Sequence, residues 1–137
     1  MEQIFELICN LDDMSAEAIA FTQQLLLDEG ALDVYTTSIG MKKGRMGISF
    51  TCMCRAEDKE RMMQLIFTHT TTLGVREYVS NRYSLQREYS KLQTRFGEIT
   101  LKTAYGFGVK KTKPEYEDIA RIAREQGISL WDVLEDV

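Results

Sequence analysis

The chain has 137 residues and a formal net charge of −4, with 44% hydrophobic and 28% charged residues. A chain this long can bury a core without disulfides or a structural metal, and its acidic balance argues against bulk binding to nucleic acid or an anionic membrane, which needs excess Lys and Arg. No apolar run approaches the ~20 residues that span a bilayer, Met1-Glu2-Gln3 lacks the basic start of a signal peptide, and the three cysteines have no paired metal-ligand spacing; the expected setting is cytoplasmic, with reduced thiols.

Residues 3–9 alternate loosely between apolar and polar side chains and predict a first strand. Ser15 is a helix cap, followed by a helical stripe of Ala16, Ile19, Ala20, Gln23, Leu26 and Leu27. Gly30 stops that helix. A second strand is predicted over 31–39, then a glycine-bearing basic turn over 41–47. The third strand, 47–54, places Ile48, Phe50, Cys52 and Cys54 on one face by its period of two. A second helix over about 57–69 carries Met62, Leu65, Ile66 and His69 on one stripe. A fourth strand is expected from Val75 to about Tyr89.

This βαββαβ order predicts an α+β, ferredoxin-like sandwich. Residues 91–97 predict a hairpin turn and 98–104 a fifth strand. Pro114 is expected to open a helix at its first turn, with Ile119, Ala120, Ile122 and Ala123 on its apolar face and Gly127 at its end. Ser129 starts a last short helix. The expected organisation is a ferredoxin-like domain over 1–90 and a small C-terminal lobe, a β-hairpin plus helix, over 91–137 beside it.

That topology puts three loops on one edge of the sheet. They hold Asn10-Leu11-Asp12-Asp13-Met14, the turn from Met41 to Gly47, and Thr70-Thr71-Thr72-Leu73-Gly74. Carboxylates hold hard divalent cations, Lys and Arg neutralise phosphate, and glycine lets backbone N–H groups approach phosphate oxygens. Asp12 and Asp13, with Lys42, Lys43, Gly44 and Arg45, together with Thr72 and Gly74, therefore suit a metal-bound polyphosphate. Each part has a plainer use: carboxylates favour a helix start, and a Lys-rich hairpin tip is commonly just solvated.

Five segments resemble motifs of the LarC family of nickel-insertion proteins: Asn10-Leu11-Asp12-Asp13-Met14, Met41-Lys42-Lys43-Gly44-Arg45-Met46-Gly47, Thr71-Thr72-Leu73-Gly74-Val75-Arg76, Arg82-Tyr83-Ser84-Leu85-Gln86-Arg87 and Lys113-Pro114-Glu115-Tyr116-Glu117-Asp118. They run in order along nearly the whole chain. The resemblance implies a nickel chelatase (cyclometallase, lyase class) that inserts Ni²⁺ into pyridinium-3,5-bisthiocarboxylic acid mononucleotide, giving the nickel pincer nucleotide cofactor of lactate racemase. It implies CTP with Mg²⁺ or Mn²⁺ as cofactor, and as partner an N-terminal domain that often carries a His-rich stretch. Carried over residue by residue, Lys42, Lys43, Gly44, Arg45, Thr72, Gly74, Arg76, Arg82 and Lys102 would hold CTP. Asp12, Asp13, Glu117 and Asp118 would hold the metal.

Arg76 and Arg82 share parity and so one face of a regular fourth strand; Arg87 has the opposite parity. His69, on an apolar stripe, is expected to be a satisfied, partly buried histidine, and Cys9, Cys52 and Cys54 to be buried core thiols. A long fourth strand could pair subunits into a homo-oligomer. Two other classes compete. A ferredoxin-like module can merely bind ligands or oligomerise without catalysis. Lys43 to Phe50 lies where RNA-recognition motifs keep their third-strand signature, but Arg45 and Gly47 replace the rings that base stacking needs, so nucleic acid is not expected as a partner.

Overall fold

The computed structural model describes residues 1–137. The chain forms two compact units, Met1–Tyr83 and Ser84–Val137.

In the first unit the elements are β1 (Glu2–Leu11), α1 (Ala16–Asp28), β2 (Asp33–Gly40), β3 (Met46–Cys54), α2 (Lys59–His69) and β4 (Arg76–Arg82). The sheet order is β2-β3-β1-β4, with all neighbours antiparallel. This is the expected ferredoxin-like arrangement. Register sets its core: Leu7 pairs with Cys52, Cys9 with Phe50 and Leu11 with Ile48, so alternate residues of both strands face the helices. Leu7, Phe50, Cys52 and Cys54 are fully buried there against Leu26 of α1 and Met62 and Ile66 of α2. Each such aliphatic side chain contributes ~1.5–3 kcal/mol on burial.

Ser15 caps α1 as expected, accepting the Ala18 N–H at 3.2 Å. Thr22 is the polar exception within the helix layer. Its buried hydroxyl bonds the Ala18 carbonyl at 2.9 Å and the His69 carbonyl at 3.2 Å, so it satisfies itself and ties α1 to the end of α2.

The second unit holds β5 (Gln86–Thr94), β6 (Gly97–Gly106), β7 (Val109–Pro114), α3 (Tyr116–Gln126) and α4 (Leu130–Glu135). Its antiparallel sheet has the order β5-β6-β7. Ile99, Ile119, Ile122 and Val133 form a separate small core.

Several expectations need correcting. The fourth strand ends at Arg82 instead of reaching Tyr89, and residues 86–94 form β5, paired along their whole length with β6. The division between compact units accordingly falls after Tyr83, not after residue 90. Residues 109–114 form a further strand. Pro114 does not open a helix; it ends β7, an edge strand, where a missing N–H is tolerated. The helix starts at Tyr116 with Glu115 as its cap residue.

Candidate functional site

The three loops expected on one edge of the first sheet are joined by side chains. Arg45 Nη1 lies 3.1 Å from Asp12 Oδ2, linking the β2–β3 turn to the β1–α1 loop. The Thr71 hydroxyl donates to the Asp13 carboxylate, linking the α2–β4 loop to the same place. Arg76 Nη2, at the start of β4, donates to Asn10 Oδ1 at 3.3 Å. The third loop is also stiffened internally: Thr70 caps the end of α2 through the Ile66 carbonyl at 2.7 Å, and Thr72 bonds the Gly74 carbonyl at 2.8 Å.

The basic turn has a defined backbone. Lys42–Gly44 form a single 3₁₀ turn in which Lys43 and Gly44 take φ of 63° and 71°. The Met41 N–H donates to the Arg45 carbonyl at 2.7 Å and closes it. Lys42 and Lys43 are exposed and make no ion pair. Gly47 follows where the strands crowd: an added Cβ would sit 2.9 Å from the Leu11 carbonyl oxygen and strike the Met41 sulfur. Beside the Asp12–Arg45 pair, a cavity of about 220 Å³ is lined by Leu11, Met14, Met46 and Ile48 together with Asp12 and Ser38. Asn10, Thr71 and Ser38 are the members that residue-by-residue reasoning did not single out. Asn10 and Thr71 were legible as parts of their loops; nothing local marks Ser38.

The other expected site residues sit on other elements. Arg82 shares a face with Arg76, as parity requires, but pairs across from Glu2 while Arg76 pairs across from Ile8. Six residues of strand, roughly 20 Å, separate them. There Arg82 and Arg55 each hold one oxygen of Glu2 at 2.9 Å, and the Arg82 hydrogen bond draws the Glu2 pKa down. Lys102, Glu117 and Asp118 belong to the second unit. Lys102 Nζ is 3.3 Å from Glu115 Oε1, beside a largely apolar cavity of about 340 Å³ formed with Lys113, Tyr116 and Leu134. Glu117 is exposed in the first turn of α3. Asp118 accepts the Thr100 backbone N–H at 2.6 Å, and that bond lowers its pKa; its carboxylate is already used to pin α3 to β6.

The soft donors are withdrawn. Cys9, Cys52 and Cys54 are buried free thiols. Burial pushes all three up; Cys52 reaches about 12, with Cys54 beside it adding to the effect. At neutral pH they are thiols, which bind metals poorly. His69 is half-buried and tilted against Phe21, with ring centroids 6.0 Å apart. No three His, Cys, Asp or Glu side chains gather as a metal-binding group. Asp12 and Asp13 thus fit a cation that arrives with oxygens of its own, as Mg²⁺ does with phosphates, and not one needing a full protein cage.

An antiparallel ferredoxin-like sheet with a polar loop edge, followed by a small second unit of three strands and two helices, makes this an α+β protein. A family model described as nickel insertion protein matches residues 1–134. The chain belongs to the nickel insertion protein family. A relative from Clostridium acetobutylicum, the pyridinium-3,5-bisthiocarboxylic acid mononucleotide nickel insertion protein, is 41% identical over 138 residues, which cover 100% of this chain and 33% of the relative. The protein of that name from Acetivibrio thermocellus is 39% identical over 140 residues, 99% of this chain and 34% of its own length. The chain spans about a third of the length of these curated relatives. Among solved structures, the apo C-terminal domain of a cyclometallase involved in the synthesis of the NPN cofactor of lactate racemase superposes with a TM-score of 0.94. It is 32% identical, with 98% of this chain and 94% of that one covered. A protein from Methanopyrus kandleri shares the fold at a TM-score of 0.76 and 21% identity.

Proposed function

We propose that this chain is the CTP- and divalent-metal-binding part of a nickel-insertion enzyme, a CTP-dependent cyclometallase of the lyase class. The enzyme would place Ni²⁺, its substrate, into pyridinium-3,5-bisthiocarboxylic acid mononucleotide to make the nickel pincer nucleotide. The observation that carries the reading is the joining of three loops at one edge, with Asp12 tied to Arg45 and Asp13 to Thr71 while Lys42 and Lys43 stay unpaired. On this reading Lys42, Lys43, Arg45 and Arg76 hold the CTP phosphates. Backbone N–H groups around Gly44 and Gly74, with the Thr72 hydroxyl, add hydrogen bonds. Asp12 and Asp13 take Mg²⁺ or Mn²⁺, whose role is to neutralise phosphate charge. The soft-metal steps fall to another part of the protein, because the thiols here are buried and protonated. The working unit is a cytoplasmic assembly with the family's N-terminal domain, and the chain pairs with copies of itself.

Titration calorimetry tests this. CTP with Mn²⁺ should bind the native chain and raise its melting temperature, more than ATP does. Ala at Lys42, Lys43 or Arg45 should each weaken CTP by roughly 10- to 100-fold, the worth of a charge-assisted contact of ~1.5–3 kcal/mol, with little change in melting of the free chain. Unchanged affinity in all three variants, or equal binding of ATP, would overturn the assignment.

A further inference from the structure

We infer that Asp12 makes this edge select metal-complexed polyphosphate over free polyphosphate, by keeping Arg45 occupied until a divalent cation takes Asp12 over. The inference rests on the polyphosphate reading just given. Arg45 is the one planar, two-pronged donor in the basic turn, and it is already engaged with Asp12 Oδ2 at 3.1 Å. A free polyphosphate must therefore displace Asp12 from Arg45, then sit beside the released carboxylate and that of Asp13. A free divalent cation must displace the Arg45 guanidinium and remain next to it. Each ligand alone thus trades one attraction for a like-charge contact.

Arriving together, the two ligands exchange partners with the pair. Phosphate oxygens take Arg45, the cation takes Asp12, and every charge keeps an opposite neighbour. Each ligand then raises the affinity of the other by the same factor. The structure localises the movement. The Met41–Arg45 backbone bond of 2.7 Å fixes the turn, Thr71 holds Asp13, and Asn10 holds Arg76. Only the Arg45 side chain, itself 58% exposed, has to swing.

The test is CTP affinity by calorimetry in EDTA and in Mn²⁺, for the native chain, Asp12→Asn and Arg45→Gln, with melting curves to verify folding. Asp12→Asn should bind CTP in EDTA about two- to fivefold more tightly than the native chain, the factor released by breaking an exposed ion pair of ~0.5–1 kcal/mol. Its gain from Mn²⁺ should shrink. Arg45→Gln reports independently and should weaken CTP more in Mn²⁺ than in EDTA, because only with metal is Arg45 free for phosphate. Equal or weaker CTP binding by Asp12→Asn in EDTA, or an equal loss for Arg45→Gln in both conditions, would overturn the inference while native binding in Mn²⁺ leaves the polyphosphate reading standing. No CTP binding by the native chain even with Mn²⁺ would overturn both.

Discussion

At position 47 a single added methyl group would lie 2.9 Å from the Leu11 carbonyl oxygen and collide with the Met41 thioether. The thioether could turn aside, but the carbonyl belongs to β1, whose Leu11 faces Ile48 across the ladder, and it has no freedom to yield. Gly47 is therefore required by packing and not by backbone angle, unlike Gly44, whose φ of 71° lies in open space. Gly47→Ala should cost ~1–3 kcal/mol, the usual penalty of overpacking, read as a lower urea midpoint with an unchanged slope. It should also disturb the loop edge, since Asp12 follows Leu11 directly. A midpoint within error of the native chain would mean that β1 and β3 can part more easily than their pairing implies. The cysteines show the same dominance of packing at single residues. Three thiols of one sheet face could have formed a soft-metal site, yet Phe50, Leu7 and Met62 fill the same core and burial keeps them protonated.

Among the elements, α3 is held by its first turn. Asp118 accepts the Thr100 N–H at 2.6 Å and also lies 3.8 Å from Arg121. The backbone bond stabilises the charged form, so the folded-state pKa sits below the ordinary 3.8. A lowered carboxyl pKa contributes stability that is fully present above the unfolded value and lost as pH falls through the folded one. Asp118→Asn should therefore lower the melting temperature near pH 7, and the gap from the native chain should close as pH drops below about 4. A gap that stays constant down to pH 2 would mean the charge of Asp118 contributes nothing. The same region marks the limit of what sequence alone conveyed. The first unit was legible because its strands and helices carry regular apolar periods, and the three-loop edge followed from topology. β5 was not legible: in Gln86–Thr94 only Leu92 is aliphatic and most side chains are exposed, so no period marks it. Pairing with β6 across the tight Arg95-Phe96 turn creates that strand, and backbone pairing leaves no apolar period in the side chains. β7 hides in a lysine-rich run, although Gly106-Phe107-Gly108, all at positive φ, carried a turn signal between two extended runs. The separation of Arg82 from the edge was missed for a related reason. Parity gives a residue's face but not its distance along the strand.

For the molecule as a whole, two cores with no shared member imply two levels of protection. The first unit buries Leu7, Leu26, Phe50, Met62 and Ile66. The second relies on Ile99, Ile119, Ile122 and Val133. Ile122→Ala should cost ~2–5 kcal/mol within the second unit. Hydrogen exchange should then accelerate across β5, β6, β7 and α3 and stay near native in β1 and β3. Equal acceleration in both sheets would show that the chain opens as one cooperative body. CTP with Mn²⁺, added to that variant, separates the units functionally, since slower exchange confined to the loops of the first unit is the expected footprint.

One outer strand of the second sheet carries a further consequence. β7 reads Val109-Lys110-Lys111-Thr112-Lys113-Pro114 and pairs only with β6. Strand addition by a second copy would bring its backbone within about 4.8 Å, stacking three lysines against three more and meeting a proline that has no N–H to offer. In concentrated solution this edge repels its own kind, so fibre growth has no starting template there. By contrast, β2, one of the two outer strands of the first sheet, reads Asp33-Val34-Tyr35-Thr36-Thr37-Ser38-Ile39-Gly40, with one charge and no proline. Of these two borders, the hydroxyl-rich one of β2 carries no row of like charges to turn a second copy away.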